Sequence, residues 1–196
     1  MKFPDWPYFS KVFEMMRTKR RLFIPKSREM MISWAVMGYA VWLAQWHPGS
    51  QIIVQSEIAA KSIDLVGGSG ISGYALTLWE QQDDCLKILH PLIKNPADMP
   101  GDLLTWKNDS SIMAIPSGGD RMRQYHPALF IMDEAAFLSE AHESFDTAEP
   151  VSTQIIAVSS AGPGWFGEVV TDLFDNHTIH PSSQIVPKTE SGRTKL

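Results

Sequence analysis

The stretch Phe130-Ile131-Met132-Asp133-Glu134-Ala135-Ala136-Phe137 ends a short apolar run in two adjacent acids. Such a run reads as a buried strand that delivers charge to its carboxyl edge, where open α/β sheets bind their ligands. Asp133 is placed to hold Mg²⁺ through water. Glu134 is placed to orient or deprotonate an attacking water. Hydrolysis of a nucleoside triphosphate needs both tasks side by side, because its chemistry is mostly positioning and charge neutralisation. The alternative is a plain strand-to-helix junction, since the first turn of a helix also favours acids.

The phosphates need an earlier strand–loop–helix, where free N–H groups of a helix terminus meet a cation. Leu22-Phe23-Ile24-Pro25 is a short apolar strand, followed by Lys26-Ser27-Arg28-Glu29-Met30-Met31-Ile32-Ser33. This loop has none of the glycines of the Gly-x-x-x-x-Gly-Lys-[Ser/Thr] pattern, and Ile32 fills the usual lysine slot. Ser33 still stands where the Mg²⁺-binding hydroxyl is expected. Lys26 and Arg28 lie in the turn and are long enough to reach β- and γ-phosphates. A surface loop is the other reading.

The elements that must position these residues follow from periodicity. Residues 6–17 have helical spacing, with Phe9, Val12, Phe13 and Met16 on one face. A strongly apolar helix spans about 30–45 and ends at His47-Pro48-Gly49. Residues 51–56 read as a strand and 57–65 as a helix closed by the turn Gly67-Gly68-Ser69-Gly70. A helix is expected over 74–94, with Pro91, Pro96 and Pro100 marking its exit. Residues 103–106 and 111–115 form a strand pair. A helix follows from about Ser139. The last strand, 154–158, runs into Ser159-Ser160-Ala161-Gly162-Pro163-Gly164. Alternating strands and helices predict a mostly parallel sheet with helices on both faces.

Bulk properties narrow the classes. The chain has 196 residues, 44% hydrophobic and 20% charged, enough for one domain with a real core. A net charge of −5 argues against a general nucleic-acid coat, so any DNA contact is local, with Arg17 to Arg21 the only dense basic cluster. A solvated helix end explains that cluster equally well. The lone Cys85 fits a reducing cytoplasm, and no signal or membrane-spanning segment is expected. His142-Glu143-Ser144-Phe145-Asp146 lacks the second histidine of a zinc-protease helix. Trp34, Trp42 and Trp46 recur at helical intervals and are expected in the core rather than on a base-stacking platform.

The combination of Lys-Ser-Arg-x-Met-x-x-Ser-Trp, Ala-Ile-Pro-x-Gly-Gly-Asp-x-x-Arg, Asp-Glu-Ala and Ser-Ser-Ala before Gly-Pro-Gly resembles the large-subunit terminases of tailed bacteriophages, from about Trp6 to Val170. That resemblance implies a RecA-like P-loop NTPase fold and an ATP-driven motor that packages double-stranded DNA into a procapsid. It implies Lys26 as a loop lysine displaced to the start of the phosphate loop, with Ser27 beside it. Arg28 becomes a second cation and Ser33 the Mg²⁺ ligand. Asp133 becomes the metal acid and Glu134 the catalytic one. Ser159, Ser160 and Ala161 match the motif that couples the γ-phosphate to DNA movement. Arg123 matches an arginine acting on a neighbouring subunit's ATP, with Arg121 a weaker candidate, and Trp6 precedes the first helix, where adenine is contacted. The implied partners are backbone-directed DNA, the portal and procapsid, a small terminase subunit, and further copies in a ring, the isolated chain being monomeric. The implied location is the host cytoplasm. The expected organisation is an ATPase domain over 1–180 and a polar tail over 181–196, without the family's nuclease domain. Two alternatives stay open: a helicase-like RecA-type ATPase, and a non-hydrolysing module used for binding or assembly.

Overall fold

In a computed structural model of the chain, residues 5–68 and 72–175 are described. Six strands form one sheet: β1 (Arg21–Pro25), β2 (Gln51–Gln55), β3 (Leu103–Thr105), β4 (Ser111–Ile115), β5 (Leu129–Asp133) and β6 (Gln154–Ser159), in the spatial order β1-β6-β5-β2-β4-β3. All neighbours are parallel except the β3–β4 edge pair. The strand sequences are near-continuous apolar runs because both faces of the sheet are covered.

Alternation along each strand divides the side chains between two cores. Leu22, Ile24, Ile52, Val54, Leu129, Ile131, Ile156 and Val158 meet helices α1 (Pro7–Thr18), α2 (Ile32–Trp46), α3 (Ala59–Val66) and α4 (Tyr74–Glu80). Ile53, Phe130, Met132, Ile155 and Ala157 meet α6 (Ala141–Ala148) and α7 (Trp165–Asp175). This is the RecA-like α/β architecture expected from the sequence, with helices on both faces.

The register places the chemistry. β6 lies between β1 and β5, pairing Pro25 with Ser159 and Val158 with Asp133. Gln55 at the end of β2 pairs with Met132. The residues that leave β1, β6 and β5 therefore emerge side by side at one edge of the sheet.

Three details depart from the periodicity reading. The helix expected over 74–94 is two short ones, α4 and α5 (Asp84–Leu89), broken at Gln81–Asp83. There Gln82 exchanges side-chain hydrogen bonds of 2.7 and 3.0 Å with Gln45 of α2, a tertiary tie that outweighs local helix propensity. Trp42 and Trp46 are not core residues. They are 40% and 49% exposed, since α2 turns that stripe outward and buries Val36, Ala40 and Ala44 instead. Helix α7 had no counterpart in the sequence reading. The tail 181–196 and residues 69–71 of the glycine turn lie outside the described residues. No helix among the described residues is long and apolar enough to cross a membrane.

Candidate functional site

The loop between β1 and α2 makes its turn without glycine by placing Glu29 and Met31 in the left-handed region, at φ 65° and 53°. This conformation is costly for residues with a Cβ, and here surrounding contacts hold it. Tyr8 of α1 donates its hydroxyl to the Met30 carbonyl at 2.8 Å, and the Ser27 N–H points at the Met30 sulfur at 3.2 Å. The Met30 side chain is buried in the first core. The Lys26 N–H donates to the Ser159 carbonyl at 2.9 Å, so the loop begins pinned to the end of β6.

At the other side of the edge, Asp133 continues the line of β5, whereas Glu134 takes φ 52° and leaves it. That left-handed step sends two consecutive carboxylates to different partners. The Ser33 hydroxyl donates to Asp133 Oδ1 at 2.7 Å. Lys26 Nζ donates to Glu134 Oε1 at 2.9 Å. Ser160 Oγ donates to Glu134 Oε2 at 3.0 Å, with its N–H at 3.4 Å. Ser159 Oγ, fully buried, accepts the Ala136 N–H at 3.0 Å. Six residues singled out in the sequence thus converge, although the Lys26 and Ser33 bonds span 108 and 100 residues.

Burial pushes the Asp133 carboxyl above its ordinary range, and the Ser33 hydrogen bond and the Lys26 charge offset this only partly. Burial also pushes Glu134 upward, but the Lys26 bond and charge together with Ser160 outweigh it, and Glu134 sits below its ordinary value.

Lys26, Ser33, Asp133 and Glu134 line a cavity of about 470 Å³. Its far wall comes from Lys61, Asp64 and Tyr74, which the sequence reading passed over, and from Trp34, which it expected in the core. Trp34 and Tyr74 stack with ring centroids 4.0 Å apart, and Lys61 pairs with Glu57 at 2.5 Å. Trp34 follows Ser33 in the quoted motif, whereas Lys61 shows only helical spacing from Glu57. A wall assembled from α3 and α4 depends on tertiary packing that no local pattern records.

Other expected residues lie outside this cavity. Arg28 is exposed and makes no hydrogen bond or ion pair among the described residues. Trp6 is 39% exposed and stacks on Phe9 at the start of α1, beside the loop tie made by Tyr8. Ala161 is exposed just beyond β6. Arg121 and Arg123 sit on a 3₁₀ turn, Gly119–Gln124, and Arg123 pairs with Asp120 of the same turn at 3.0 Å. In the basic cluster Arg21 is engaged by Glu149 at 3.0 Å, while Arg17, Lys19 and Arg20 are exposed at the opposite edge of the sheet.

Among the described residues no group of three or more His, Cys, Asp or Glu side chains could hold a metal. Mg²⁺ does not need one, since it commonly takes one or two protein ligands and completes its shell with water and phosphate oxygens. A buried carboxylate facing a hydroxyl fits that demand.

The same fold occurs in phage large terminases. The large terminase of bacteriophage HK97 matches with a TM-score of 0.61 at 12% identity, covering 91% of this chain and 37% of that one. The large terminase of a thermophilic bacteriophage, in complex with ADP, matches with a TM-score of 0.61 at 14% identity, covering 93% and 44%. The complex of that same terminase with ATP-gamma-S gives 0.54 at 14% identity, covering 93% and 43%. The chain therefore spans less than half the length of these proteins. No protein-family profile matches the chain, and no curated protein does.

Proposed function

We propose that this chain is the ATP-hydrolysing motor domain of a terminase large subunit, driving double-stranded DNA into a procapsid. The observation that carries the reading is the paired contact at the sheet edge, Lys26 to Glu134 at 2.9 Å and Ser33 to Asp133 at 2.7 Å. The fold shared with the thermophilic phage's large terminase, a protein solved with ADP and with ATP-gamma-S, supports it. The domain covers 1–180, and its partners are DNA held through the backbone, the portal and procapsid, a small terminase subunit, and further copies of itself in a ring within the host cytoplasm.

The chain's own groups divide the work. Asp133 and Ser33 are the residues that would hold Mg²⁺, which would supply positive charge to offset that of the phosphates. Without nucleotide, Lys26 is committed to Glu134. A triphosphate in the cavity offers the Lys26 ammonium a stronger anionic partner, and Arg28 is free to swing onto the same phosphates. Released from Lys26, Glu134 loses the ion pair that lowers its proton affinity, while Ser160 still donates to its carboxylate. Glu134 orients the attacking water for in-line displacement at the γ-phosphorus. Ser160 keeps hold of the other Glu134 oxygen, so a change at the γ-phosphate reaches the strand end at Ser159 and Ala161. Trp6 supplies an aromatic face for adenine near the start of α1.

The test is MgATP binding by thermal shift, together with turnover. At about 100 times Kd, binding stabilises the native state by about 2.7 kcal/mol. The native chain and Glu134→Gln should both show the shift, and Lys26→Ala should not. Glu134→Gln should have no turnover. Turnover that survives Glu134→Gln removes the catalytic assignment, and absence of binding by the native chain removes the whole reading.

A further inference from the structure

The 3₁₀ turn Gly119–Gln124 is anchored from below and clasped at its entry. Met122 is fully buried in the second core, while Arg121 and Arg123 project outward. Gln55, fully buried at the end of β2, donates from Nε2 to the carbonyls of Pro116 at 2.9 Å and Gly118 at 3.3 Å. The amide orientation follows from these two carbonyls, since a flipped amide would face them with oxygen. Glu140 Oε2 accepts the Gly119 N–H at 3.0 Å. Gly118 has φ 134°, which side-chain-bearing residues rarely adopt, and a Cβ on Gly119 would lie 2.3 Å from Glu143 Cγ. The turn is seated against the approach to α6 with no slack.

Glu140 is also the far end of the segment that begins at Glu134. Glu134 is held by Lys26 and Ser160, and Ala136 by the buried Ser159 hydroxyl. One short stretch therefore touches the nucleotide site at its start and the arginine turn at its end. Among the described residues Arg123 has an ion pair only within its own turn, to Asp120, with both side chains largely exposed.

We propose that Glu140, assisted by Gln55, is a positioning residue that fixes the arginine turn to the segment following Glu134. The clasp stands on the geometry alone. That it aims a catalytically useful arginine rests on the motor reading above.

Limited trypsin digestion with mass-spectrometric site assignment tests the clasp, because Arg121 and Arg123 are themselves the cleavage sites and exposed Lys107 serves as an internal reference. Cleavage tracks the population of the locally opened turn. Losing one charge-assisted hydrogen bond in Glu140→Ala should raise cleavage after Arg121 and Arg123 about tenfold. Cleavage after Lys107 and MgATP binding should not change. Glu140→Gln keeps an acceptor oxygen and should stay within about twofold of the native chain. Under assembly, Glu140→Ala should lower kcat at unchanged KM, with rescue by Glu140→Gln. Native-like cleavage of Glu140→Ala overturns the proposal, as does an equal rise at Lys107, which would mark general loosening. Arg123→Ala with unaltered turnover overturns the arginine's part in the motor reading, and the digestion result still decides the clasp.

Discussion

Asp133 and Glu134 are chain neighbours with opposite electrostatic outcomes, and one backbone angle separates them. Asp133 stays in line with β5 and is buried against a hydroxyl, so its ionised form is disfavoured. Glu134 steps into the left-handed region and reaches a lysine and a serine that favour its ionised form despite burial. The linkage signs follow. For Glu134 the folded-state pKa is depressed, so its contribution to stability is present above the unfolded value of about 4.3 and is lost as pH falls through the lower folded value. For Asp133 the folded-state pKa is raised, so the folded chain binds that proton more tightly than the unfolded chain. The ionised carboxylate then costs stability at neutral pH, and the cost disappears as pH falls through the raised value. Asp133→Asn should therefore stabilise the nucleotide-free chain by about 1 kcal/mol at neutral pH, as removing a strained functional group often does. The gain should shrink in acid, where Asp133 is already protonated, and MgATP binding should weaken. Denaturant titrations at neutral and moderately acid pH measure both limbs. A destabilised Asp133→Asn at neutral pH would refute the burial argument.

At the level of elements, what the sequence made legible was whatever repeats along one segment. The apolar runs read as strands at 51–56 and 154–158, and the run ending in Asp133-Glu134, are buried strands of the sheet, and those acids stand at its carboxyl edge. The loop after β1 was harder, because the usual signal of a phosphate loop is glycine and this loop obtains its left-handed turns from Glu29 and Met31. Identity of the loop came from Lys26 and Ser33, while the conformation was set by Tyr8 and Met30 contacts from α1 and the core. The far wall was invisible, since Lys61 and Tyr74 reach the cavity only through the way α3 and α4 cross. That crossing depends on one glycine. A Cβ at Gly73 would lie 2.3 Å from the Gly67 nitrogen and 2.5 Å from its Cα, against backbone that cannot rotate away. Gly73→Ala should cost about 3 kcal/mol. Because the displaced helices carry Lys61 and Tyr74, it should also weaken MgATP binding at temperatures where the chain remains folded. Denaturation midpoints and calorimetry at low temperature separate the two effects. Unchanged stability would mean that the α3–α4 crossing relaxes freely.

For the whole molecule, the consequential fact is where the two arginines of the 3₁₀ turn lie. The cavity is lined by Lys26 and Lys61 but by neither Arg121 nor Arg123. Both sit on a turn that packs with α6 against the second core, whereas the cavity is walled by α2, α3 and α4 on the first. An arginine supplied by another subunit is worth about 10³ to 10⁵ in rate in phosphoryl-transfer enzymes. The isolated chain should therefore bind MgATP but turn it over slowly, and turnover per subunit should rise as subunits assemble. Arg123→Ala should bind MgATP like the native chain and lose the rise. The decisive version mixes two inactive proteins. Glu134→Gln retains the arginine but not the catalytic carboxylate, and Arg123→Ala retains the carboxylate but not the arginine. If the arginine acts between subunits, a mixture contains junctions in which an intact Glu134 faces an intact Arg123, and activity returns on mixing. If it acts within one chain, no junction is complete and the mixture stays as inactive as its parts.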